Sequence, residues 1–134
     1  GFITNDKWGF KLGFSPDGLV GDDGLIECKS RKPKYQVQTI VECAAANTIP
    51  EEFMLQCQTA LLVSERSWID FVTYAGGLPM STTRVLPIPA YEDAILAAAE
   101  RFENELADKR VIYDAMIASG ARLIPTKRSV PEIF

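Results

Sequence analysis

Asp17 and Glu27 stand ten residues apart, and Lys29 follows Glu27 by two. Asp17 belongs to Ser15-Pro16-Asp17-Gly18, and a short glycine-rich turn separates it from Glu27-Cys28-Lys29. On a strand, two-residue spacing puts Glu27 and Lys29 side by side on one face and turns Cys28 to the other. Two carboxylates and a lysine on one spot can hold divalent metal ions and an attacking water, which suits phosphodiester hydrolysis. That reaction needs the phosphate neutralised, water activated and a leaving oxyanion stabilised. Two metal ions roughly 4 Å apart can do all three when a carboxylate bridges them. Asp17, at a strand end, is a natural bridge and Glu27 a second ligand. The backbone carbonyl of Cys28 is a third candidate, because hard cations accept carbonyl oxygen. Lys29 is suited to orienting the water or stabilising charge on the phosphoryl oxygens.

Each half of this set is common in turns and exposed strands, so neither alone indicates a site. Together they weigh more. Glu27 and Lys29 adjoin Leu25 and Ile26, where buried charge is costly unless it is paired or metal-bound. The run Lys29, Arg31, Lys32 and Lys34 offers phosphate contacts beside the set, or else is a solvated basic loop. Gln56 and Gln58 are flanked by apolar residues alike, and the residues alone do not choose between them.

The elements that must position these residues can be read from the pattern. Trp8, Phe10, Leu12 and Phe14 alternate with Gly9, Lys11 and Gly13, which predicts a strand with one buried face. Leu19-Val20 and Leu25-Ile26 flank Gly21-Asp22-Asp23-Gly24, a strong hairpin signal. The stretch from Lys34 to Asn47 is less regular. A buried helix is expected from about Thr48, with Pro50, Glu51 and Glu52 in its first turn, running through Phe53, Met54, Leu55, Cys57, Leu61 and Leu62. Trp68 to Tyr74 and Thr82 to Ile88 read as strands joined at Gly76-Gly77-Leu78-Pro79. A long amphipathic helix follows from Ala90 to about Ser119, with Gly120 as its stop and Tyr91, Ile95, Ala98, Phe102, Leu106, Tyr113, Met116 and Ile117 at helical spacing. The tail from Arg122 to Phe134 should be extended. The order predicts an α/β fold, a mixed sheet with helices packed against it.

With 134 residues, 47% of them hydrophobic and 24% charged, the chain suits one soluble domain with a core of its own. No apolar run reaches membrane-spanning length. The chain has no histidine, which excludes histidine-based serine and cysteine hydrolases, histidine-ligated zinc sites and histidine-metal nucleases. Cys28, Cys43 and Cys57 form no paired metal motif or disulfide framework, as expected of a reducing cytoplasm. A formal net charge of −4 argues against coating nucleic acid through bulk positive charge but is compatible with a nuclease, whose bound cations reverse the local sign. Asp17, Asp22 and Asp23 lack the spacing of an EF-hand loop. The aromatic residues alternating along strands are better read as core than as base-stacking groups.

Ser15-Pro16-Asp17-Gly18-Leu19 and Gly24-Leu25-Ile26-Glu27-Cys28-Lys29 resemble the Pro-Asp…(Asp/Glu)-x-Lys nuclease superfamily, and within it the phage lambda exonuclease and YqaJ-type viral recombinase family. Phe53-Met54-Leu55-Gln56-Cys57-Gln58 continues the resemblance, as the family's Gln-x-Gln helix, and Trp68-Ile69-Asp70-Phe71 as the strand after it. The motif-bearing part covers roughly residues 1 to 75. The resemblance implies a restriction-endonuclease-like mixed β-sheet flanked by helices. It implies Asp17 and Glu27 as metal ligands with the Cys28 carbonyl, Lys29 as the catalytic lysine, and Gln56 positioning the water or the phosphate. The family's acidic residue on the preceding strand has Asp6 as its nearest candidate.

By the same resemblance the chain is a Mg²⁺- or Mn²⁺-dependent DNA exonuclease with two ions, resecting double-stranded DNA ends 5′→3′ for phage recombination. It would act in the cytoplasm of a bacterial host, encoded by a phage or prophage, as a homotrimer paired with a single-strand annealing protein and without a membrane. Residues 1–134 are then one nuclease core domain, lacking the family's N-terminal helical region with its metal-site glutamate. The competing readings are a RecB-like or restriction-type endonuclease, a DNA- or protein-binding module, and a catalytically incomplete fragment. The cysteine spacing disfavours the iron–sulfur branch.

Overall fold

In the computed structural model, which describes residues 1–129, eleven short and long elements follow one another. β1 (Ile3–Asn5) and β2 (Leu12–Phe14) pair as a separate antiparallel hairpin. β3 (Gly18–Val20), β4 (Gly24–Ser30), β5 (Trp68–Tyr74) and β6 (Ser81–Val85) form a sheet in that order. β4 and β5 run parallel, and the outer pairs are antiparallel. A parallel pair needs a crossover, supplied here by α1 (Pro33–Thr39), a π-helical turn (Ile40–Ala44), a 3₁₀ turn (Glu51–Phe53) and α2 (Met54–Ser64). The fold is the α/β mixed sheet flanked by helices that the pattern implied.

One face of the sheet meets α2. Leu25 pairs with Ile69 and Glu27 with Phe71 in the β4–β5 register, and Ile69 pairs with Val85 across β5–β6. Leu25, Ile69, Phe71 and Val85 form the core with Cys57, Ala60 and Leu61 of α2 and with Ile49. Alternation therefore places Glu27 and Lys29 on the helix-covered face, in line with Leu25. On the other face, the Trp68 ring lies over Gly24, occupying the space a Cβ there would need, and the Arg84 guanidinium stacks on Trp68 at 3.6 Å. Arg84 is locked in place by two hydrogen bonds to Asp70, at 2.8 and 2.9 Å.

Three elements differ from the expectation. The strand predicted through Trp8 and Phe10 is confined to Leu12–Phe14, because Gly9 adopts φ +86 in a turn closed by its N–H on the Asp6 carbonyl. Trp8 and Phe10 stack on each other instead, 6.4 Å apart. The stretch taken as irregular is helical, opened by Pro33 in the first turn. Its inward residues are Gln36, Thr39 and Cys43, so its core-facing side is not marked by large apolar residues. Gln36 is fully buried and donates to the carbonyls of Thr73 and Pro79. Finally, α2 begins at Met54 rather than near Thr48, since Pro50 is extended (ψ 131) and a 3₁₀ turn intervenes.

By its internal contacts the chain divides into two compact units, the first Gly1–Ala98 and the second beginning at Ala99. α3 (Pro89–Ala118) buries no residue along its length, so its apolar spacing at Phe102, Leu106, Tyr113, Met116 and Ile117 is exposed. Residues 122–129 of the tail carry no regular element, and the rest of that expected extended segment lies outside the described residues. Among the described residues no helix is long and apolar enough to cross a membrane.

Candidate active site

β3 starts at Gly18 opposite Ile26, so β4 runs on beyond the end of its neighbour. Backbone groups of alternate strand residues face alternate sides. Arg31 donates its N–H to the Tyr74 carbonyl on the β5 side, which directs Cys28 to the side where β3 has ended. Asp17, the residue just before β3, fills that place. Its Oδ2 accepts the Cys28 N–H at 2.8 Å. This contact fixes the aspartate beside β4 and leaves the Cys28 carbonyl on the same open side.

Glu27 lies on the covered face and is only 6% exposed. Its Oε1 accepts two donors, the Lys29 ammonium at 2.6 Å and the Gln56 amide Nε2 at 2.6 Å. A buried carboxylate is costly without such partners. The strand supplies Lys29 and the first turns of α2 supply Gln56. Both contacts fall on one oxygen; among the described residues neither Oε2 of Glu27 nor Oδ1 of Asp17 meets such a donor.

Gln58, which the residues alone could not separate from Gln56, has a different task. It is fully buried, donates to the Leu86 carbonyl at 2.9 Å and accepts the Ile88 N–H at 2.8 Å. It ties α2 to the link between β6 and α3.

Asp6 is not brought to this cluster, and its expected place among the metal ligands is corrected. It follows Asn5, whose amide donates to the Val63 carbonyl near the C-terminal end of α2. Gln56 sits near the opposite end, seven residues or about 10 Å of helix away at 1.5 Å per residue. Arg31 also departs from the expected exposed phosphate contact. Its side chain is 13% exposed and bonds Glu52 at 3.1 Å, with its guanidinium over the rings of Phe53 and Tyr35 at 4.9 and 5.3 Å. Lys32 and Lys34 remain exposed at the start of α1.

Two side chains not singled out as site members lie beside it. Glu52 precedes Gln56 by one helical turn and helps line a cavity of about 400 Å³ with Ser15, Glu27, Leu55 and Gln56. Phe53 lies under Lys29. The i, i+4 spacing of Glu52 and Gln56 was a usable signal, obscured by the reading of Glu52 as a favourable charge at a helix start.

The donors suit a hard divalent cation. They are two carboxylates and a carbonyl, and Mg²⁺ is typically held by one or two carboxylates, its other positions filled by water and substrate phosphate. Among the described residues no three acidic or thiol side chains come together as a metal group. The electrostatics agree with a concentration of negative charge. Burial, then Asp17 and Glu27, push the Cys28 thiol up from its ordinary pKa. Burial and Glu27 push the Cys57 thiol, behind the site on α2, up to about 12, against a lowering influence of Lys29. All three cysteines are free.

Residues 4–67 match the model of the YqaJ-like viral recombinase domain, so the resemblance carried by the motifs is borne out. The crystal structure of an alkaline exonuclease, LHK-Exo, from Laribacter hongkongensis is similar at 33% identity and TM-score 0.71, covering 81% of this chain and 56% of that one. LHK-Exo in complex with dAMP is similar at 33% identity and TM-score 0.66, covering 80% of this chain and 54% of that one. The chain thus spans about half the length of the solved relatives it matches. Among curated proteins none matches significantly.

Proposed function

Proceeding from the YqaJ-like match over residues 4–67, we propose that this protein is a metal-dependent deoxyribonuclease, specifically a 5′→3′ exonuclease acting on double-stranded DNA ends in phage-type recombination. The observation that carries the reading is the pinned pair of carboxylates: Glu27 held by Lys29 and Gln56, and Asp17 held by the Cys28 N–H. The similarity to an alkaline exonuclease supports it.

Asp17, Glu27 and the Cys28 carbonyl would hold the divalent ions, Mg²⁺ or Mn²⁺, with two as the expected number. When bound, such ions neutralise phosphate charge and acidify water at that spot. The remaining work falls to the chain. Lys29 presents a charged donor beside the scissile phosphate and stabilises negative charge as it develops on the phosphoryl oxygens. Gln56 gives an N–H to Glu27, and its carbonyl oxygen, which meets no donor among the described residues, is suited to accept a hydrogen bond from the attacking water. Asp17 and Glu27 stay fixed through the reaction because each is bonded to β4 or α2, so no reorganisation is needed as charge develops. Lys32 and Lys34 contact the DNA backbone as it approaches.

The proposal extends to a homotrimer that works with a single-strand annealing protein in the cytoplasm of a bacterial host. A time course of linear and closed circular duplex with Mg²⁺ tests the activity. The exonuclease reading expects the linear form to be degraded and the circle to persist. Nicking of the circle would favour an endonuclease, and DNA binding without cleavage a binding module or an incomplete fragment.

A further inference from the structure

We infer that Phe53 is the positioning residue of Lys29: its ring holds the ammonium against Glu27. This rests on the nuclease reading above for the task of Lys29, but the placement itself is a matter of geometry. Glu27 and Lys29 lie on one face of β4, and Arg31 follows just past its end at Ser30. Glu52 lines the same cavity as Glu27, and Lys29 has a long flexible stem that could carry its charge toward either carboxylate or into water. Three contacts decide the outcome. The Lys29 Nζ lies 5.6 Å from the centroid of Phe53, within the range of a cation–π contact. Arg31 lies over the same ring at 4.9 Å and occupies Glu52, so that carboxylate is already paired. The remaining partner for Lys29 is Glu27, which it meets at 2.6 Å.

Phe53 is itself well fixed. Its ring lies 5.2 Å from that of Phe71, which is 2% exposed and pairs with Glu27 across β4–β5. The 3₁₀ turn that carries Phe53 leads directly into the first turn of α2, which carries Gln56. One aromatic ring thus links the strand bearing Glu27 and Lys29 to the helix bearing Gln56. An aliphatic side chain of similar size would keep the packing and lose the attraction for the cation.

The test compares wild type with Phe53→Leu and Phe53→Tyr, by steady-state digestion of linear duplex and by reductive methylation of lysines read by mass spectrometry. Phe53→Leu should lower kcat about 5- to 30-fold, with KM changed by less than about twofold. Phe53→Tyr, which keeps a ring, should restore most of kcat. Methylation of Lys29 should rise in Phe53→Leu relative to the exposed Lys11 and return in Phe53→Tyr. Should Phe53→Leu fail to fold, Phe53→Met provides the ringless arm. Wild-type kcat in the ringless variant, or unchanged Lys29 methylation, would overturn the inference. Full activity in Lys29→Ala would instead remove the nuclease role of Lys29, and the methylation ratio alone would then decide the positioning claim.

Discussion

Gln56 donates its amide to Oε1 of Glu27 across 2.6 Å, joining the start of a helix to the middle of a strand whose next-but-one residue, Lys29, bonds the same oxygen. The consequence is a carboxylate that is buried and fixed in direction.

The two glutamines of α2 should therefore separate cleanly. Gln56→Ala removes one of the two donors to the buried Glu27 carboxylate, so it should lower the kcat of the folded fraction about 10-fold or more as well as costing about 1.5–3 kcal/mol of stability. Gln58→Ala leaves the Leu86 carbonyl and the Ile88 N–H without their partner. It should cost about 1–3 kcal/mol of stability, read as a lower urea midpoint, with the specific activity of the folded fraction retained. The opposite pattern would exchange their roles.

Gly24→Ala tests the far face of the sheet. A Cβ at Gly24 would meet the Trp68 ring, so the ring and the Arg84 guanidinium stacked on it must shift. Overpacking of this kind costs about 1–3 kcal/mol. The expected result is a lower unfolding midpoint and a changed tryptophan emission. An unchanged midpoint would mean that Trp68 repacks freely.

Stability at high pH should carry the mark of Cys57. Its folded pKa is raised to about 12, whereas an unfolded cysteine titrates at about 8.5. The folded state thus prefers the neutral thiol. Its contribution is complete below the unfolded pKa and is lost as pH rises toward the folded one. With divalent cations chelated, wild type should lose stability across roughly pH 8.5 to 12 more steeply than Cys57→Ala, as read by denaturant midpoints at each pH. Parallel curves would contradict the burial of a neutral thiol beside Glu27.

The grouping of Asp17, Glu27 and Lys29 was more legible in the sequence than the crossover. Asp17, Glu27 and Lys29 were legible because their spacing joins a turn to a strand, and alternation along Leu25-Ile26-Glu27 marked the buried face. Trp68 to Tyr74 was legible for the same reason. The helix at Pro33–Thr39 was not, because Gln36 and Thr39 face inward and are polar, donating to backbone carbonyls no local pattern announces. Gln56 could be separated from Gln58 only once Leu86 and Ile88 were seen beside the latter. Asp6 was misplaced because Gly9 turns the chain after β1, and a count of residues cannot register that turn. Arg31 looked like one member of an exposed basic run, although Glu52, distant in sequence, draws it inward.

The proposed nuclease activity depends on Asp17 and Glu27 together. The most direct measurement is the rate of nucleotide release from end-labelled linear duplex in Mg²⁺ by wild type, Asp17→Ala and Glu27→Ala, with circular dichroism to show that each variant is folded. The account predicts release by wild type and a loss of about 10³-fold or more in each folded variant. Release at the wild-type rate from either folded variant would contradict it.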